Sequence, residues 1–135
     1  MKTVWLVFVG VLILAGGCKT NPILVEPTCS ISVAPDQMDS MKHAIILAAT
    51  RRRWSAVELK PGVIRCTLLN RTHEVQVDVV YTETEFSIRY ANSQDMDYDP
   101  AQRTINRKYN QWVRNLEKEI LIRFSRQALG PDGGR

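Results

Sequence analysis

The stretch His73-Glu74-Val75-Gln76-Val77-Asp78-Val79-Val80-Tyr81 alternates apolar and polar side chains. A period of two puts Val75, Val77, Val79 and Tyr81 on one face of a strand and Glu74, Gln76 and Asp78 on the other. One dry and one wet face marks an antiparallel sheet covered on a single side. The pattern continues outward in both directions. Glu85–Tyr90 repeats it, with Phe86, Ile88 and Tyr90 inward and Ser87 and Arg89 outward. Before the central stretch, Val63–Leu69 sets Ile64, Cys66 and Leu68 on one parity and ends at the turn residues Asn70-Arg71-Thr72. Trp54–Leu59 is a further strand candidate, separated from it by the turn Pro61-Gly62. The short links predict an antiparallel meander of three or four strands.

Amphipathic helices flank the meander. Met38, Met41, Ile45 and Ala48 are spaced by three and four, with Ala44 and Leu47 beside them. This predicts a helix beginning near Asp36 or Asp39, either of which can cap it. It should end at Arg51-Arg52-Arg53, whose charge suits a helix C-terminus. A second helix is predicted from Gln102 to Ala128, on the stripe Ile105, Tyr109, Trp112, Leu116, Ile120 and Phe124, with Val113 adjacent. Leu129-Gly130-Pro131 ends it and 130–135 form a tail. A half-wet sheet needs cover, and the two helices supply it. The expected fold is an α+β two-layer sandwich in the order α-β-β-β(β)-α, with the domain at 38–129.

The N-terminal end is of another kind. Lys2 precedes the apolar run Val4–Leu14, and Leu14-Ala15-Gly16-Gly17-Cys18 follows. The run is shorter than the roughly 20 residues of a membrane-spanning helix, and its layout fits an export signal. Small residues before a cysteine let the backbone enter a peptidase site, and the thiolate is the nucleophile for acylation. Residues 1–18 resemble the signal and lipobox of bacterial lipoproteins, with Ala15 and Leu14 each one step from the commonest arrangement. The resemblance implies cleavage of 1–17, a diacylglycerol on the Cys18 thiol and an acyl chain on its new amino group. It also implies a membrane-anchored envelope protein. Lys19 is not the Asp that retains such proteins at the inner membrane, so the implied address is the periplasmic face of the outer membrane. Residues 18–37 contain Pro22, Pro27 and Pro35 and read either as a tether or, through Ile23-Leu24-Val25 and Cys29–Val33, as an edge strand.

Composition narrows the chemistry. The 135 residues carry a formal charge of +4, part of it from Lys2. That is a mild excess without the concentrated basic patch of a nucleic-acid binder. His43 and His73 are the only histidines, in no metal-binding spacing. No phosphate loop or nucleophile elbow is present, so no catalytic, cofactor-binding or metal residue is assigned and no enzyme activity is expected. Asp95, Asp97 and Asp99 alternate, but Pro100 and Asn106 stand where a calcium loop of the EF-hand type would carry other residues, and the segment reads as a solvated loop. Asn70-Arg71-Thr72 matches a glycosylation sequon and reads as a turn. Beyond Cys18, Cys29 and Cys66 are candidates for a disulfide if the tether folds back as a strand, or else stay unpaired.

Function is then expected from surfaces. The leading expectation is a non-enzymatic docking module for another envelope protein, with Arg65, Gln76, Asp78, Arg89, Asn92 and Tyr98 as candidate partner contacts. One alternative is a structural lipoprotein binding peptidoglycan or anionic lipid through Lys60, Arg65, Arg71 and Arg51–Arg53; the other, a small envelope hydrolase, would need Glu and Asp residues that converge only in the fold.

Overall fold

A computed structural model describes residues 21–31 and 38–128. The expected export signal, Cys18, Lys19, the candidate cap Asp36 and the C-terminal tail lie outside the described residues, and Asp39, the other candidate cap, lies within the first turn of the helix.

The elements run β1 (Thr28–Ser30), α1 (Met38–Arg51), β2 (Ser55–Lys60), β3 (Val63–Asn70), β4 (His73–Tyr81), β5 (Glu85–Gln94) and α2 (Arg107–Ala128). The fold is α+β, with two helices packed on one antiparallel sheet. The sheet has five strands in the order β1-β5-β4-β3-β2. The expected three or four strands were therefore too few, and the order is β-α-β-β-β-β-α. Of the options left open for residues 18–37, the described portion forms an edge strand: Thr28, Cys29 and Ser30 pair with Ser87, Phe86 and Glu85.

Alternation works as the central stretch predicts. In β4 the inward Val75, Val77, Val79 and Tyr81 are buried, and Ile64, Cys66 and Leu68 face them from β3. Phe86 and Ile88 extend the layer along β5. Strand β5 continues past Tyr90 because Ala91 is an extra residue between the pairs Val77–Tyr90 and Gln76–Asn92. That bulge shifts the parity, so Ser93 returns to the inner side.

Helix α1 carries the chain from one edge of the sheet to the other, between β1 and β2. It buries Met41, Ala44, Ile45, Ala48 and Ala49, while Leu47, expected near the core, stays exposed. Its end is a Schellman motif: Trp54 N–H donates to the Ala49 carbonyl at 2.8 Å, and Arg53 N–H donates to Thr50 O at 3.1 Å. Helix α2 starts at Arg107, five residues later than predicted. Asn106 caps it, its Oδ1 accepting from Lys108 N–H at 3.0 Å. Tyr109, Val113, Leu116, Ile120 and Phe124 are buried as the stripe requires, and Trp112 is only half-buried.

Residues 22–27 are held against the domain. Leu24 N–H donates to Arg103 O at 2.7 Å, and Ile105 N–H donates to Pro22 O at 3.0 Å. The Asn110 amide completes the edge: its Oδ1 accepts from Val25 N–H at 3.0 Å and its Nδ2 donates to Ile23 O at 2.8 Å. Glu26 accepts from Tyr90 N–H and pairs with Arg103 at 2.7 Å.

Candidate functional site

Strand register gathers most of the sequence-predicted contact residues on one face. Arg65 lies opposite Asp78, Asp78 opposite Arg89, and Gln76 opposite Asn92. All five occupy the sheet face turned away from the helices. Val57, opposite Arg65, completes a row Val57–Arg65–Asp78–Arg89 across four strands. Val57 is 60% exposed and Leu69, on the same face of β3, is 69% exposed. Arg65 and Asp78 form a two-pronged pair, Nε to Oδ1 at 2.8 Å and Nη2 to Oδ2 at 3.0 Å. The two-pronged geometry fixes both side chains near the centre of the face, with Arg89 exposed beside them.

Tyr98, the sixth candidate, is not on that face. Its ring lies 4.2 Å from that of Tyr90, which in turn meets Tyr109 edge-on at 5.8 Å. This aromatic stack closes the helix side of the sheet, with Tyr90 and Ser93 joined through their hydroxyls at 2.8 Å. It packs the three rings together. The acidic loop is shaped by its own backbone and side-chain bonds. Asp95 and Asp97 take left-handed backbone angles, and Asp99 Oδ1 accepts from Ala101 and Gln102 N–H. Asn70-Arg71-Thr72 is the turn expected, joining β3 to β4. His43 is exposed and His73 Nδ1 bonds the Asp95 carbonyl at 2.7 Å. Among the described residues no three His, Cys, Asp or Glu side chains stand close enough to hold a metal.

The basic residues separate into groups that sequence spacing hid. Arg65 is taken by Asp78, and Lys60 ends β2 at the far end of the sheet from Arg71. Arg52, Arg53 and Arg71 instead meet at one cleft of about 350 Å3, which Trp54, Trp112 and Asn115 also line. The meeting is made by antiparallel order: β2 starts where β3 ends, so the last turn of α1 lies beside the β3–β4 turn. Arg52 reaches Glu119 at 3.4 Å, and Glu119 also holds Arg123 at 3.0 Å. Arg53 and Arg71 have no carboxylate partner among the described residues.

Both of those arginines stand at backbone positions that favour glycine. Arg53 has φ 64° at the C′ position of the Schellman motif, and Arg71 has φ 58° at the first loop position of the hairpin. A left-handed non-glycine residue costs about 1–2 kcal/mol, against the greater unfolded-state freedom of glycine. Arg53→Gly should therefore leave stability unchanged or raise it by up to about 1 kcal/mol, read from the urea unfolding midpoint. A loss above that size would show that the arginine side chain itself braces the fold.

The Cys29–Cys66 bridge considered above is not formed; both thiols are free. Strands β5 and β4 lie between β1 and β3. Three strand spacings amount to about 14 Å, twice the reach of a disulfide. Cys29 Sγ donates instead to Glu117 Oε1 at 3.1 Å, and Cys66 is buried in the core. Burial, then the Glu117 carboxylate, pushes the Cys29 thiol up to about 11. Burial, then the charge of Asp78, pushes Cys66 up to about 12. Burial also raises the Tyr109 phenol. The fold thus binds these protons more tightly than the unfolded chain. Their contribution to stability is complete below the ordinary thiol value of 9.0 and is lost as pH rises through about 11 and 12. The urea midpoint should be insensitive to these groups up to about pH 9 and fall steadily above it. A midpoint constant to pH 12 would contradict the burial of both thiols.

No family model matches the chain, and no curated protein or solved structure matches it either.

Proposed function

We propose that this chain is a bacterial envelope lipoprotein, held at a membrane through lipid on Cys18, that serves as a non-enzymatic docking module for a partner protein. The observation that carries the reading is the bare sheet face. Five of the six residues picked from sequence as partner contacts share it, interleaved with the exposed aliphatics Val57 and Leu69. A row of alternating charge beside apolar side chains selects a complementary protein surface through orientation more than through bulk attraction. The anchor supplies what such a face lacks in area, because confinement to one membrane raises the effective concentration of two anchored partners. No described helix is long and apolar enough to cross a membrane, and the attachment in this reading is the lipid on Cys18.

The test is cross-linking in intact cells followed by affinity capture. Leu69→Asp with Arg89→Glu should abolish the dominant protein adduct, and Arg114→Glu, on the exposed side of α2, should leave it. An adduct that survives the open-face changes would exclude this face as the recognition surface.

A further inference from the structure

The cleft of Arg52, Arg53 and Arg71 lies at a particular end of the molecule. Strand β5 runs toward Gln94, which neighbours Glu74 at the start of β4, and His73 pairs with Asn70 at the end of β3. That end also holds the start of β2 and the C-terminus of α1, hence the cleft. Going backward from Thr28, the chain runs along β5 toward the same end, where Ile23 bridges Thr104 and Pro22 bonds Ile105. Asn21 is three positions beyond Cys18 in sequence. Three extended residues span at most about 11 Å. The lipidated position is therefore tied close to the end of the sandwich that carries the arginines.

We infer that this end of the domain lies against the bilayer and that the cleft receives the phosphate of an anionic lipid headgroup. The inference rests on the lipoprotein reading for its anchor. Arg53 and Arg71 supply forked donors free of carboxylate partners, which match phosphate oxygens in pairs. Trp112, half-buried at the cleft, is the side chain best suited to the headgroup layer, with an apolar ring and a polar N–H. Trp54 and Leu68 line the cleft as well. Asp95, Asp97, Asp99 and Glu74 share this end and oppose the attraction. They lie with β4, β5 and the loop that follows, and Arg103, Arg107 and Lys108 stand on the chain beyond that loop. The orientation leaves the open sheet face standing perpendicular to the membrane, accessible to a second anchored protein.

The test anchors the full mature chain chemically, so it does not depend on natural acylation. Cys18 is coupled to a maleimide lipid in vesicles, with Cys29→Ser removing the one other partly accessible thiol. Tryptophan fluorescence is quenched by a headgroup-attached nitroxide lipid, with Trp112→Phe identifying the signal of that ring. Quenching should be strong in phosphatidylglycerol vesicles, weak in phosphatidylcholine vesicles and reduced by salt. Each arginine at an anionic surface changes the bound population by about fivefold. Arg53→Gly with Arg71→Gly, which suit the backbone at both turns, should therefore lower the apposed population by more than about tenfold without unfolding. Equal quenching on both lipids, or indifference to the double substitution, would overturn the inference. So would abolition by inorganic phosphate, which would make the cleft a soluble-anion site, or arginine-dependent retention on purified sacculi in place of vesicles. Acyl labelling of Cys18 in cells decides the lipoprotein reading separately.

Discussion

Phe86→Ala should lower the unfolding free energy of the lipid-free mature chain by about 3–5 kcal/mol. Phe86 is wholly buried on β5, between Cys29 of β1 and Tyr81 of β4. Truncating it removes the ring's burial and leaves a cavity between sheet and helices that neither can close, since both are fixed by their own hydrogen-bond ladders. The whole stability of a domain of this size is about 5–15 kcal/mol, so the loss is a large share of it. Denaturant unfolding at constant slope measures it directly. A cost below about 1 kcal/mol would mean that β5 does not sit under the helices as described.

Leu24→Ala should cost about 2–5 kcal/mol, although Leu24 lies in a segment whose prolines read equally well as tether. The side chain is 5% exposed, and the backbone on either side is fastened by both ends of the Asn110 amide. Loss of the side chain should also free the Leu24 and Val25 amides for hydrogen exchange ahead of the core strands. A substitution without effect on stability or exchange would return residues 21–27 to the status of a free tether. It would also undo the argument that the anchor and the arginine cleft share one end.

The sheet was legible where alternation runs long enough to count. Val75 to Tyr81 and Ile64 to Leu68 bury the parity that the sequence assigns, and in β5 Phe86 and Ile88 do so, while Tyr90 is half-buried and Ser87, assigned to the wet face, is buried as well. Strand β1 was not legible as a certainty, because Thr28–Ser30 is too short to show a period and its partner lies more than fifty residues away. The alternation of β5 stopped at Tyr90 in the sequence because Ala91 bulges there. Helix α2 was read too early because Ile105 is in phase with Tyr109. Ile105 is buried, but as the last part of a loop whose Asn106 caps the helix.

The candidate sites divide in the same way. Arg65, Gln76, Asp78 and Arg89 followed from parity alone, since the wet side of an alternating strand is fixed once its dry side is known; Asn92, read as part of the loop, reaches the same face only through the bulge at Ala91. Tyr98 did not, because its place depends on stacking with Tyr90 across a loop. The meeting of Arg53 with Arg71 escaped periodicity entirely. The signal that could have found it is topological: in a meander, the turn after β3 returns to the beginning of β2, where the arginine run of α1 ends.

The central claim is that Cys18 carries the protein to a membrane. Intact mass and membrane fractionation of the protein from its own cells, beside Cys18→Ala, test it most directly. The account predicts a native chain beginning at Cys18 with diacylglyceryl and acyl mass added, found with membranes, and a variant that is unprocessed or released. A native chain without lipid, or a variant that is processed and membrane-bound as before, would contradict it.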